Sequence, residues 1–442
     1  MTASHSVLDK SQQERRVVIT GAAISSPAGY TLAENSGAWW NGHCSFTEIT
    51  AFSTKGSSVR YAGQCKDPDV KRLPDRKVQK ILRRKDVISL LTTIAAAENA
   101  KIFKGDFNPD RAGMYVGAGS TQIGDLTPYF TLVAECADTE TGTFDSAKFG
   151  RDLMNLVNPL VVLQTLMNNG LCFGTMTLDI RGVNCNFMDF QVAGLRALGE
   201  GFRSIQVGRA DIVIAGGVSG PVEPFQLAEG VRAGFLARTS DYDAVPADLV
   251  KPWDADRCGS ILSEGSAYVV LESEEHAVKR GANILGRISG YGLSNDGSFE
   301  FMREKEAPGL VRALNGAVKE SAKPIEQIGG IVGHGNGALS ADRAEAHSYL
   351  NYLGQFAEKT PITSAKSVLG DMGEAGGVTG VIMALDILQQ SKVPATWNFC
   401  RGDELSSGLK ISGEAQELQG DCVVVTSRNF LGLSGALVVE RP

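Results

Sequence analysis

Residues 183–190, Val-Asn-Cys-Asn-Phe-Met-Asp-Phe, read as a strand, and residues 191–199, Gln-Val-Ala-Gly-Leu-Arg-Ala-Leu-Gly, read directly after it as a helix. A strand-to-helix corner of this kind is where many α/β acyl-transfer enzymes display a nucleophile. Here the residue at the corner is Gln191. A carboxamide has no ionisable proton and no usable nucleophile, so it cannot carry an acyl group as an ester or thioester. The chain is organised to present a side chain, and the one presented cannot perform covalent chemistry. Beyond the corner, Val192, Leu195, Leu198 and Phe202 recur at helical spacing and predict one apolar stripe.

The remaining sequence repeats the same grammar. Residues 15–21, 112–119 and 210–217 read as buried strands that end in Gly turns, with a helix over 86–99. In the second half, residues 284–292 and 328–335 read as strands. A helix is expected over 306–322 with Pro308 in its first turn, and residues 361–366 lead through a Gly-rich corner into a helix over 376–390. Residues 421–426 and 436–440 close the chain as strands. Two halves of like βα order imply a duplicated α/β unit with strands buried between helix layers. The expected division is a disordered tail over 1–14, one half over 15–277 and a second over 278–442.

Composition narrows the function classes. A chain of 442 residues, 43% hydrophobic, with 51 Gly and 15 Pro, suits two fused α/β halves with many tight turns. Net charge is −7 with no long basic run, which argues against nucleic-acid binding. No run of 18 apolar residues and no signal-peptide pattern occur, so the expectation is a cytoplasmic protein with no membrane partner. The eight cysteines form no CxxC pair, and no metal site is expected. Cys185, six residues before Gln191, is expected to be a buried, inert thiol in mid-strand.

Five ordered blocks together resemble the β-ketoacyl synthases of the thiolase superfamily. They are residues 16–21, 203–217, 251–272 (opening Lys-Pro-Trp-Asp-Ala-Asp-Arg-Cys-Gly, with Ser-Glu-Gly-Ser-Ala at 263–267), 333–345 and 364–377. The resemblance covers the chain from about Arg15 onward. It implies a thiolase-like fold, two duplicated halves in an α/β/α/β/α stack, each half with a mixed five-stranded sheet.

Synthases of that family use a Cys at the corner and two His from the second half. The Cys position is Gln191. The first His position, in a His-Gly-Thr pattern, is His334. The second, in Lys-Ser-x-x-Gly-His, is Asp371, with the family Lys kept as Lys366. The family's Gly-Phe-Gly-Gly-Thr-Asn loop reads 429–434, where Phe430 matches and much of the glycine is lost. An acid in place of the second imidazole has the wrong sign for stabilising an enolate. Lys366 and Asp371 are candidates for an ion pair, and the Gln191 amide is expected to pair with nearby backbone.

Among relatives, the chain most resembles the chain-length factor (KSβ) subunits of type II polyketide synthases, which carry Gln at the Cys position. That resemblance implies a non-catalytic subunit that heterodimerises with a catalytic β-ketoacyl synthase (KSα), served by an acyl carrier protein. No cofactor is bound directly, because the carrier's phosphopantetheine arm acts at the partner. Ser120, Ile123, Leu126 and Phe130 are the implied tunnel and interface residues; the last three also share one face of a helix, and Pro128 suits only its first turn. The alternative is a malonyl-carrier-protein decarboxylase of the loading-synthase type, which also has Gln for Cys but keeps both His. A third reading is an acyl-binding or scaffolding protein with no sister synthase.

Overall fold

Strand β1, Val17–Ser25, is buried along its whole length, as a run of Val, Ile and Ala on both faces requires. In the computed structural model, which describes residues 14–75, 77–120, 127–220, 222–239, 245–298 and 306–442, β1 lies inside an eleven-stranded sheet. The others are β2 (Ala112–Gly117), β3 (Asn184–Phe187), β4 (Ile212–Val218), β5 (Ser266–Ser273), β6 (Gly286–Asn295), β7 (Ile328–Val332), β8 (Pro361–Thr363), β9 (Lys410–Ile411), β10 (Cys422–Arg428) and β11 (Leu433–Glu440). Their order is β9-β8-β7-β10-β11-β6-β1-β5-β4-β2-β3.

The order contains the duplication. From β1 outward it runs first, fifth, fourth, second and third strand of the first half, and from β6 outward it repeats that sequence in the second half. Within each half, the second, third and fourth strands pair in parallel and the others antiparallel. A short antiparallel pairing of Val17–Ile19 with Gly286–Ile288 joins the halves. The expected five strands per half are therefore present, and β9 adds a sixth at the outer edge of the second half.

Five helices define the layers: α1 (Arg84–Asn99), α3 (Ala193–Gln206), α4 (Pro308–Ser321), α5 (Leu339–Leu353) and α6 (Gly376–Gln390), while α2 (Thr127–Cys136) packs on the helix Ser146–Leu156. α3 and α6 pack together between the half-sheets. Leu195, Leu198 and Phe202 of α3 share one buried cluster with Val378, Val381 and Ile382 of α6 and with β1, β5, β10 and β11. The predicted stripe on α3 is thus the core of the central layer. α1 covers the outer face of β1 and β5, while α4 covers β6 and β11. Pro308 opens α4 at the position where a missing N–H costs nothing. The result is the thiolase-like α/β/α/β/α arrangement.

Two expectations need correction. The strand at the corner is shorter than the sequence implied, Asn184–Phe187, because only these residues pair with β2. Cys185 is exposed on it rather than buried; β3 is the edge of the sheet, with no described strand pairing on its outer side. Residues 1–13, Ile123 and Leu126 lie outside the described residues. Pro128 lies in α2, whose start adjoins residues 121–126, which are outside the described residues.

Candidate functional site

The corner is strained and braced. Phe190 has φ +50°, a left-handed value unusual for an aromatic residue, and begins a single 3₁₀ turn, Phe190–Val192, that carries Gln191. Arg196, one turn into α3, reaches back to Asp189 at 2.7 Å, and its guanidinium stacks on Phe187 at 4.8 Å. Asn429 Nδ2 donates to the Asp189 carbonyl at 3.0 Å, and Ser427 Oγ donates to the Gln191 carbonyl at 2.7 Å. Gln191 itself is buried, and its Oε1 has no hydrogen-bond partner among the described residues. The expected pairing of the amide with nearby backbone is therefore not made by its oxygen, and Gln191 lines a pocket.

The second half supplies the opposite wall. His334 follows β7 in a Gly turn whose backbone is held by two buried acids. Glu345 accepts from the N–H groups of His334 and Gly335 at 2.7 and 2.8 Å. Asp342 accepts from Trp253, Asn336 and Gly337 at 2.7, 3.0 and 3.0 Å. Burial, with the Glu345 charge nearby, pushes the Asp342 carboxyl up to about 7. Lys366 Nζ lies 3.0 Å from His334 Nδ1 and 3.5 Å from Asp371 Oδ1, so the Lys366–Asp371 ion pair forms. Burial holds the His334 imidazole well below its ordinary range, and the neighbouring Lys366 and Arg428 cations push it the same way. Burial also lowers Lys366. A neutral His334 therefore accepts from the Lys366 ammonium, and Asp371 is engaged with that same ammonium and with the Gly373 N–H.

The predicted residues meet at two small cavities. Gln191, His334 and Phe430 line one of about 40 Å³, with Asn336 and Arg428. His334 and Lys366 line another of about 20 Å³, room for a single water. Phe430 packs on Phe190 at 4.7 Å. Its loop is tied down by Asn429, whose Oδ1 accepts from Leu431 and Leu433, both at 3.0 Å. Arg428 forms a buried pair with Asp296 at 3.4 Å. No cysteine lines either cavity. Among the described residues no cluster of His, Cys, Asp or Glu could hold a metal ion, and no helix is long and apolar enough to cross a membrane.

Ser120 and Phe130 lie apart from this wall. Ser120 donates to Glu374 Oε1 at 2.8 Å, and Phe130 stands on α2 with 60% of its surface exposed. Asp342, Glu345, Glu374 and Arg428 escaped the sequence reading. The first two had a signal: acids three apart in the helix after a Gly turn. Glu374 was legible only as an acid within the Gly-rich stretch 370–377.

The profile of the β-ketoacyl synthase N-terminal domain matches residues 14–277, and that of the C-terminal domain matches residues 285–400. The chain belongs to the β-ketoacyl synthase family. It is 28% identical to 3-oxoacyl-[acyl-carrier-protein] synthase 2 of Synechocystis sp., across 97% of this chain and 99% of that protein. Among solved structures it resembles the ishigamide ketosynthase/chain length factor, with TM-score 0.83 and 24% identity over 97% of this chain and 100% of that one. It also resembles AntDE:AntF, described as a type II polyketide synthase acyl carrier protein in complex with its ketosynthase, with TM-score 0.82 and 21% identity over 97% and 100% of the two chains.

Proposed function

We propose that this chain is a non-catalytic chain-length factor. It pairs with a competent β-ketoacyl synthase and shapes the space in which that partner extends an acyl chain delivered by an acyl carrier protein. The observation that carries the reading is the pair of changes at the site. Gln191 occupies the nucleophile corner, and Asp371 stands salt-bridged to Lys366 where a second imidazole would serve. Without a thiol there is no acyl-enzyme, and a carboxylate opposes the negative charge that decarboxylation develops. The curated relatives are synthases by name; on this reading Gln191 and Asp371 set the chain apart from a synthase's chemistry.

The surface supports a partner. Of the twenty large apolar residues exposed among the described residues, twelve lie between Tyr129 and Phe190. Phe130, Met154, Val162, Met176 and Met188 are 60–78% exposed, and exposed apolar surface of this kind marks interfaces. Strand β3 adds an edge with no paired strand among the described residues in the same half. The chain needs no metal or nucleotide of its own; the phosphopantetheine arm works at the partner.

One observation favours a second reading, a malonyl-carrier-protein decarboxylase: Gln191 and His334 line one pocket, and an amide N–H can assist an enolate. Asp371 counts against it. Co-expression with a synthase bearing an intact Cys-His-His set, followed by mass spectrometry after incubation with malonyl-loaded carrier protein, separates the two. A one-to-one complex acylated only on the partner is expected. A chain that purifies alone and releases carbon dioxide, with the activity lost in Gln191→Ala, refutes the chain-length-factor reading.

A further inference from the structure

A third cavity stands apart from the two described above. Asp386 ties α6 to the helix Leu32–Asn41, and beside that tie, with Leu285 at the entry to β6, lies a space of about 260 Å³. The cavities at Gln191 and His334 hold about 40 and 20 Å³, so this one has room for a small organic molecule where those have room only for water. Its walls are Leu32, Trp39, Leu285, Ile382 and Leu385, an outward extension of the central buried cluster. One acid lines this apolar surface. Asp386 Oδ2 accepts from Ser36 Oγ at 2.7 Å and from the Trp39 and Trp40 indole N–H groups, both at 2.8 Å. All three donors are neutral and converge on one oxygen. Oδ1 accepts from no described residue and is not sealed from solvent. The frame around the acid is fixed: Thr31 and Glu34 cap the helix reciprocally, and Trp397 Nε1 donates to the Trp39 carbonyl at 2.8 Å.

We propose that this cavity is a binding site for a small cationic amphiphile, a primary amine on a hydrocarbon body, with Asp386 as its counter-ion. The ammonium donates to Oδ1, making the charge-assisted hydrogen bond that the neutral donors on Oδ2 do not supply. The hydrocarbon lies on Leu32, Leu285, Ile382 and Leu385 and takes apolar surface out of water. The chemistry of the walls sets an order of preference. An amine gains both contributions, an alcohol of the same length gains only the second, and a carboxylate ligand meets Asp386 with a like charge. The inference is independent of the chain-length-factor reading, because the cavity shares no residue with the corner, with the His334 wall or with the exposed apolar surface between Tyr129 and Phe190.

The test titrates the isolated full chain at neutral pH with octylamine, octanol and octanoate, read by calorimetry and by the fluorescence of the tryptophans bonded to Asp386. Octylamine is expected to bind one-to-one and at least tenfold more tightly than octanol, and octanoate to show no saturable binding. Asp386→Asn keeps the size of the side chain and removes its charge. It is expected to weaken octylamine at least tenfold and to leave octanol unchanged. Ala33 lines the cavity from an exposed position on its helix, so Ala33→Trp fills the space from outside the core and is expected to abolish binding of both. The proposal is overturned if octylamine shows no saturable binding to the wild type, if octanol or octanoate binds as tightly as octylamine, or if an Asp386→Asn protein folded by circular dichroism binds octylamine as the wild type does. Should that variant not fold, Ala33→Trp decides, and undiminished octylamine binding to it overturns the proposal. No partner enters this assay, so failure to pair with a synthase would refute the proposed function without changing this result, and the reverse.

Discussion

Two strands occupy the same place in the duplicated topology and are treated in opposite ways. β8 is the outer strand of the second half: all three of its residues are buried, and β9 pairs along its free side. β3 is its counterpart in the first half. Asn184 and Cys185 are exposed, no described strand pairs with its outer edge, and the segments around it carry most of the exposed apolar side chains. An open edge invites pairing with another chain, and proteins ordinarily cover or charge it. This chain covers one edge and leaves the other open. The second half thus has its edge paired, whereas the first half has no described strand on its outer edge, which under the proposed function is where a partner would pair.

The most severe way to break the comparison is to spoil the open edge alone. The carbonyls of Val183 and Phe187 accept from the N–H groups of Met114 in β2 and of Ala118 just after it. The alternation of a parallel ladder then turns the main-chain groups of Asn184 and Asn186 outward. Asn184→Pro removes an outward N–H and no bond to β2. The isolated chain is expected to keep its thermal midpoint and to lose the complex with its synthase, weakening Kd at least tenfold, as followed by size-exclusion chromatography and calorimetry. A complex of undiminished affinity would show that the edge is not the interface.

The closed half responds in stability instead. Lys366→Met strands Asp371, 1% exposed, without its cation. Removing one partner of a buried pair costs about 3 kcal/mol or more. Urea unfolding of the isolated chain should register that loss, and Lys366→Met combined with Asp371→Asn should recover most of it. If the single variant is as stable as wild type, the pair does not hold this half together.

Asp342 gives a smaller and pH-dependent version of the same contrast. Its folded pKa is raised to about 7, against about 3.9 in an unfolded chain. Between these values the folded state holds a proton that the unfolded state releases, so the contribution of Asp342 is fully present below about pH 4 and is lost as pH rises through 7. From pH 6 to 8 this amounts to about 1 kcal/mol. Asp342→Asn should flatten that part of the stability profile relative to wild type. Parallel profiles for the two proteins would place the proton elsewhere.

The fold was legible because duplication writes itself twice. Gly-ended apolar strands followed by amphipathic helices recur in both halves, and the stripe Val192, Leu195, Leu198 and Phe202 is buried as its spacing requires. The positions of Gln191, His334, Lys366 and Asp371 were legible through motif spacing, and the Lys366–Asp371 pair followed from opposite charges five residues apart. What stayed hidden depends on neighbours distant in sequence. Cys185 reads as a core residue because periodicity does not reveal which strand is an edge. Glu374 reads as an acid in a Gly-rich turn, because only the fold brings Gly119 and Ser120 to its carboxyl. Asp342 and Glu345 read as ordinary helix residues until the turn after β7 lays its N–H groups on them.

The mildest perturbation acts where exposure is greatest. Phe130 touches Tyr129 edge to face at 5.6 Å and is otherwise open. Truncating a side chain that exposed changes stability by no more than about 0.5 kcal/mol, so Phe130→Ala should leave the isolated chain's unfolding midpoint in place. Its effect belongs to the complex. If Phe130 helps bound the space offered to the partner's acyl chain, removing the ring lengthens that space, and the product made with malonyl-loaded carrier protein should gain about one extension unit at an unchanged subunit ratio. If instead it is ordinary interface core, Phe130→Ala weakens assembly and leaves product length alone. Measuring Kd and product mass on one preparation distinguishes the two, and an unchanged product from an intact complex would remove Phe130 from any role in setting length.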